Sequence, residues 1–145
     1  MDYRIPQEGT SGGMKVMIDT NIILSALLFP KGRAAQAFYK SLEPPFEPLV
    51  CRYIIDEVER KFTEKFANHA SKLRTFKEIL PLFTVVASPA GSVAGEIPVR
   101  DVKDMPILRA ALAAKADFLL TGDKDFLDAE IKEPKVLSVA QFLAL

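Results

Sequence analysis

Acidic side chains recur in this sequence where apolar segments meet a predicted helix or turn. Asp19 follows the apolar segment 16–18, Asp101 and Asp104 precede an almost wholly apolar helix, and Asp123 follows another apolar segment. Carboxylate oxygens without histidine or cysteine neighbours are the ligands that Mg²⁺ and Mn²⁺ prefer. Such ions polarise phosphoryl oxygens and activate water. Brought together, these acids would therefore suit metal-assisted chemistry on a phosphoryl group.

A fourth acid lies in the predicted helix 52–66, which has one apolar face. Asp56 and Glu57 fall on opposite flanks of that face, so helical periodicity leaves open which of them contributes to a site. A simpler interpretation treats the acids at helix starts as N-caps, a common role of Asp. Both Asp19 and Asp104 stand where a cap is expected. Recurrence at several strand ends makes capping alone the less attractive explanation.

The elements that must position these acids alternate between strands and helices. Short apolar runs predict strands at residues 15–18, 46–51, 82–86, 116–121 and 135–137, with helical patterns between them and a capped helix at 139–143. This alternation predicts an α/β fold, a three-layer sandwich around a mostly parallel sheet. Ligands bind beyond the carboxyl ends of strands in such sheets, so we expect the acids to share one edge.

Length and composition predict one globular domain in a reducing compartment. The chain has 145 residues, 49% of them hydrophobic, and no apolar run near the roughly 18 residues of a membrane span. Residues 14–145 are assigned to the domain, and the polar, glycine-rich residues 1–13 are expected to be a disordered leader or an expression remnant. The lone Cys51 cannot form an internal disulfide. We therefore expect a cytoplasmic protein that does not insert into membranes.

The charge balance limits the classes of function. Lys plus Arg and Asp plus Glu each number 19, which argues against strong nonspecific nucleic-acid binding, since such proteins carry a basic excess. An enzyme that handles a few phosphates through a metal remains compatible with zero net charge. The chain has a single histidine, His69, and a single cysteine, Cys51, which argues strongly against a zinc site.

Four segments together resemble the acidic motifs of the PIN domain family. They are VMIDTN at 16–21, IIDEV at 54–58, DVKDMPILRAA at 101–111 and TGDKDF at 121–126. The resemblance covers residues 14–145 in the family's order, and it is closest to the VapC-like branch described as toxins of toxin–antitoxin systems. Each motif is weak alone, whereas the last two together are quite specific.

The resemblance implies a PIN-like fold and a metal-dependent ribonuclease that hydrolyses RNA phosphodiesters with water activated on Mg²⁺ or Mn²⁺. It selects Glu57 over Asp56. The implied catalytic and metal-binding acids are Asp19, Glu57, Asp104 and Asp123, and the implied supporting residues are Asn21, Asp101, Thr121 and Asp125. The implied partners are an RNA substrate, a cognate antitoxin and a second copy of the chain.

Two further surfaces are predicted near the start of the domain. Lys31 and Arg33 lie on the turn that Pro30 and Gly32 form between the first two helices, and they are candidates for binding RNA. Apolar side chains in the same region are candidates for a homodimer or antitoxin contact, or simply for the core; they are Leu28, Phe29, Phe38 and Tyr39.

Two other functions fit parts of the pattern. A haloacid-dehalogenase-like phosphatase would use Asp19 with Asp123 and Asp128, but it needs an acid two residues after the nucleophile, where this chain has Asn21. A PIN-like module that binds RNA or a protein without cleavage is the other alternative. The presence of all four acids speaks against it.

Overall fold

A computed structural model describes residues 13–145 and shows a five-stranded sheet in which every neighbouring pair is parallel. Of the predicted leader, residues 1–12 lie outside the described part. The strands are β1 Met14–Ile18, β2 Phe46–Cys51, β3 Thr84–Val86, β4 Phe118–Leu120 and β5 Lys135–Leu137. Their spatial order is β3-β2-β1-β4-β5.

Helices cover both faces of this sheet, so the predicted three-layer α/β sandwich is confirmed. They are α1 Thr20–Leu28, α2 Arg33–Ser41, α3 Arg52–Glu64, α4 Ala70–Ile79, α5 Met105–Ala113, α6 Lys124–Asp128 and α7 Val139–Leu143. Short 3₁₀ turns span Ala67–His69, Leu80–Leu82 and Val102–Asp104. None of the helices in residues 13–145 is both long and apolar enough to cross a membrane.

The central strand β1 fixes the position of the candidate site. Val16, Met17 and Ile18 are wholly buried, and their strand pairs with β2 on one side and β4 on the other. Strand order therefore reverses at β1, because the chain adds β2 and β3 on one side and β4 and β5 on the other. Such a reversal opens a crevice at the carboxyl ends of the strands that diverge there. Asp19 follows β1 at this crevice.

Two strands are shorter than the sequence predicts. The third and fourth strands begin two residues later than expected: Leu80–Leu82 forms a 3₁₀ turn around Pro81, and the Ala116 N–H closes the end of α5 by donating to the Ala111 carbonyl at 2.9 Å. The last helix is as predicted. Ser138 caps it in a reciprocal capping box with Gln141.

The apolar surface predicted at the first two helices is only partly exposed. Phe38 is completely buried and packs edge-on against Tyr39, so its inclusion in a contact surface was wrong. It lies on the buried face of α2, beside Ala35 and Ala37. Phe29 is 65% exposed and Tyr39 is 42% exposed, which keeps these two available for contact.

Candidate active site

All four predicted acids line one cleft of about 330 Å³ at the carboxyl edge of the sheet; they are Asp19, Glu57, Asp104 and Asp123. Each arrives on a different element. Asp19 and Asp123 follow the adjacent strands β1 and β4, Glu57 is in the second turn of α3, and Asp104 ends the 3₁₀ turn before α5. Parallel strands with helical crossovers bring these points together from distant parts of the sequence. Of the predicted supporting residues, Asn21 and Asp101 also line the cleft.

Asp19 is held firmly although it is only 3% exposed. One carboxylate oxygen accepts the Thr20 N–H at 2.8 Å, so Asp19 is indeed the N-cap of α1. The other oxygen accepts the Thr121 hydroxyl at 2.6 Å, and that hydroxyl in turn accepts the Asp123 N–H at 2.9 Å. Thr121 thus links the acids that follow β1 and β4 through one hydrogen-bonded chain.

The structure distinguishes the two neighbouring acids of α3. Glu57 faces the cleft, accepts the Thr20 hydroxyl at 2.5 Å and lies 3.7 Å from an Arg60 nitrogen. Asp56 points to solvent, where it pairs with Arg52 at 3.6 Å. The question that helical periodicity left open is therefore answered in favour of Glu57 as the cleft residue.

Asp104 is buried, and one of its carboxylate oxygens has no hydrogen-bond donor. It is 9% exposed, and its Oδ2 atom receives no hydrogen bond. Contrary to expectation, it does not cap α5, since its side chain accepts no backbone N–H there and its backbone is helical. The capping residue is Asp101, whose carboxylate accepts the Lys103 N–H at 3.0 Å at the start of the 3₁₀ turn. A buried carboxylate oxygen without a donor needs a proton or a cation.

Burial, and to a smaller extent the neighbouring acids, raise the pKa of Asp19 and Asp104. Burial raises the pKa of Asp19 from 3.8 to about 6, although its bonds from Thr121 and Thr20 work in the opposite direction. Burial, followed by the charge of Asp123 and a hydrogen bond to it, raises the pKa of Asp104 from 3.8 to about 8. A divalent cation would reverse both shifts, because a nearby positive charge favours the ionised carboxylate.

The donor set fits a divalent cation. Carboxylate oxygens of Asp101, Asp104 and Asp125 lie within 4.8 Å of one another. Of the four motif acids only Asp104 belongs to this group, and both Asp101 and Asp104 line the cleft. Asp125 donates its N–H to Asp123 at 2.8 Å and lies 3.7 Å from Arg100. Oxygen ligands alone, with one buried oxygen left without a donor, suit Mg²⁺ or Mn²⁺.

Sequence reasoning missed a group of cleft residues. Besides Thr20, the lining includes four cations, namely Arg60, Lys61, Lys65 and Lys103. Three of these follow Glu57 by three, four and eight positions, a helical spacing that places them on its side of α3 and would have been a usable signal. Lys31 and Arg33 do not line the cleft. Neither does Asp128, which is 71% exposed and pairs with Lys124.

A family model and a solved structure both match this chain. The model described as PIN domain matches residues 15–125. A chain in the crystal structure of VapBC2 from Rickettsia felis, bound to a DNA fragment from their promoter, aligns with a TM-score of 0.64 at 19% identity. The alignment covers 86% of this chain and 98% of that chain. No curated protein matches the sequence.

Proposed function

This chain belongs to the PIN domain family, and from that premise we propose that it is a Mg²⁺- or Mn²⁺-dependent ribonuclease acting as the toxin of a toxin–antitoxin pair. The observation that carries the proposal is the convergence of the four motif acids on one cleft, with a buried Asp104 oxygen that has no donor. The similar fold of a VapBC2 chain supports the toxin–antitoxin assignment.

In this proposal the four acids would hold the cation, which when bound would polarise the phosphoryl group and lower the pKa of water. Asp104 and Glu57 contribute from the two helical sides of the cleft. Asp19 and Asp123 contribute from the strand ends. Water adds to phosphorus, the phosphorus–oxygen bond of the RNA backbone breaks, and the leaving oxygen takes up a proton.

The chain's hydrogen bonds prepare the acids for this role. The Thr121 hydroxyl orients the Asp19 carboxylate, and the Thr20 hydroxyl orients Glu57. Both donors are themselves fixed, because Thr121 follows β4 and Thr20 begins α1. Such outer contacts fix the geometry of a metal-binding group and raise its affinity for the ion. Asn21 lies at the rim, where we assign it to positioning water or substrate.

The proposed partners are RNA, an antitoxin and a second copy of this chain. Phe29 and Tyr39 are the exposed apolar residues that remain for a protein contact at α1 and α2. Sedimentation of the isolated protein across micromolar concentrations tests the dimer, which a strict monomer would rule out. The cytoplasmic location inferred from the sequence stays a prediction.

The test of the nuclease is cleavage of single-stranded RNA by the purified chain with Mg²⁺, with Mn²⁺ and with a chelator. The neighbours Glu57 and Asp56 provide a matched pair of variants, since one carboxylate faces the cleft and the other faces solvent. We expect Glu57→Gln to abolish cleavage and Asp56→Asn to cleave at the wild-type rate. Equal cleavage by both variants would refute the assignment. RNA binding without cleavage by the wild type would indicate the non-cleaving module instead.

A further inference from the structure

The cleft is lined by cations as well as by the acids around which it is built. Three of these cations come from two regions: Lys61 lies in the last turn of α3 and Lys65 directly follows that helix, while Lys103 lies in the 3₁₀ turn before α5. The three lysines are called the lysine wall below. The protein as a whole carries no net charge, so this concentration of positive charge beside the acids is local.

The lysine wall does not neutralise the acids. None of its three members comes within 4.0 Å of a carboxylate oxygen among the described residues, whereas Arg60 on the same face pairs with Glu57 and with Glu64 at 3.5 Å. Some cations outside the cleft are engaged as well. Lys40, for example, donates to three carbonyl oxygens at the end of α7. The lysine wall therefore presents ammonium groups that are free to bind an anion from outside.

The spacing of Lys61 and Lys65 suits contacts with successive phosphates of a nucleic-acid backbone. Lys61 and Lys65 follow Glu57 by one and two helical turns, about 6 and 12 Å along the axis of α3. If an RNA strand runs along α3 with its reacting phosphate at the acids, its next phosphates reach these two lysines. Contacts of Lys with phosphate position a nucleic acid without reading its sequence.

We propose that Lys61, Lys65 and Lys103 bind the phosphates that flank the reacting one and so position the RNA strand along α3. This inference rests on the proposed function for the identity of the strand. It assigns RNA binding to α3 and to the turn before α5, rather than to Lys31 and Arg33 on the turn between α1 and α2, which are outside the cleft lining.

The test measures binding separately from cleavage. A fluorescein-labelled, mixed-sequence single-stranded RNA of twelve nucleotides is titrated by anisotropy in Mg²⁺ with Asp104→Asn protein, which cannot degrade the probe. In this background Lys61→Ala with Lys65→Ala is expected to weaken binding about five- to twentyfold. It should also reduce the slope of log affinity against log salt by about 1.4, because two phosphate contacts to a single strand are lost.

A matched control removes two exposed lysines elsewhere. Lys132 and Lys135 lie outside the cleft lining and form no ion pair with a described residue. Lys135 begins β5, so it lies at the amino end of its strand, whereas the cleft is at the carboxyl edge of the sheet. Their double alanine variant should bind RNA like its parent. Lys61→Arg with Lys65→Arg keeps both charges and should retain most of the affinity, which a purely structural role of lysine would not predict.

In the cleaving wild-type background, the lysine-wall variant should raise KM with little change in kcat. A dinucleotide whose only phosphate is the reacting one offers no flanking phosphate to Lys61 or Lys65, so the variant and the wild type should cleave it equally. Unchanged affinity of the lysine-wall variant would overturn the inference, as would a loss confined to Lys31→Ala with Arg33→Ala, or no binding by the parent. The nuclease assignment is judged separately, by wild-type cleavage in the Glu57 and Asp56 assay.

Discussion

Asp19 and Asp104 are buried acids of the same cleft, but they differ in the hydrogen bonds that their carboxylate oxygens receive. Asp19 receives hydrogen bonds on both carboxylate oxygens, from a backbone N–H and from a threonine hydroxyl. Asp104 Oδ2 receives none. The first carboxylate therefore has a structural role that is complete without an ion. The Asp104 oxygen lacks a partner within the protein, and a bound cation would supply one.

This difference separates folding from function within one site. Burial disfavours the ionised form of Asp19, but removing a buried carboxylate that accepts hydrogen bonds leaves its donors unpaired. A buried carboxylate without partners costs free energy that a bound cation can recover. We therefore expect substitutions at these two acids to differ in their effects on stability and on metal binding.

The largest expected effect is on catalysis. Asp104→Asn and Asp19→Asn should each reduce RNA cleavage by about 10³-fold or more, because loss of a charge that holds the cation removes several kcal/mol of transition-state stabilisation. Only Asp19→Asn should also lower stability, since an amide offers its two donors, Thr20 and Thr121, a single acceptor oxygen. Cleavage rates and melting temperatures together test this. Wild-type cleavage by Asp104→Asn would contradict the site.

Metal binding should stabilise the protein through Asp104. Mn²⁺ at a hundredfold excess over its Kd stabilises the folded state by about 2.7 kcal/mol, which is about 10 °C in melting temperature at this chain length. Asp104→Asn should lose most of this shift. Asp128→Asn, which alters an exposed acid outside the cleft, should keep it. A Mn²⁺ shift of the same size in all three proteins would exclude the cleft as the binding site.

In a chelator, stability should fall as the pH rises. The folded-state pKa values of about 6 for Asp19 and about 8 for Asp104 exceed the ordinary value of 3.8, so the folded protein binds these protons more tightly than the unfolded chain does. Both contributions are complete below about pH 4; that of Asp19 is lost as the pH rises to about 6, and that of Asp104 as it rises to about 8. We expect a melting temperature several degrees lower at pH 9 than at pH 5.

Substitution at Asp104 should alter that profile selectively. Asp104→Asn should remove the decline between about pH 6 and pH 8, because only Asp104 differs in protonation between the folded and unfolded states there. Between about pH 4 and pH 6 the decline should become shallower but remain, because Asp19 still contributes. A wild-type melting temperature that rises between pH 6 and pH 9 in the chelator would contradict the unpartnered state of Asp104.

The smallest effect concerns the hydrogen bonds around Asp19. Thr121→Val removes the hydroxyl that donates to Asp19 and accepts the Asp123 N–H, and it should cost about 1–2 kcal/mol because two buried polar groups lose a partner. Thr121→Ser keeps the hydroxyl and should recover most of this loss. Denaturant unfolding of the three proteins measures it, and equal stability of valine and threonine would show that the link is not structural.

The sequence by itself determined the fold class and the identities of the converging acids. Apolar runs alternating with helical patterns predict a parallel sheet, and β2 and β5 were placed with their observed bounds. Carboxyl ends of parallel strands meet at one edge whatever the detailed packing, so Asp19 and Asp123 could be brought together from pattern alone. The choice of Glu57 needed the family resemblance, because periodicity places two neighbouring acids on opposite flanks of a helix without saying what each flank meets.

Only the tertiary structure decided which polar groups are satisfied and which cations face the cleft. Asp101 and Asp104 look equally suited to cap a helix in the sequence, yet one caps and the other is buried without a donor, since that depends on backbone angles at the 3₁₀ turn. Likewise Lys31 and Lys65 are both exposed lysines near helix ends. Which of them lies beside the acids depends on how α3 crosses the sheet relative to α1, and this packing is set by contacts between residues far apart in the chain.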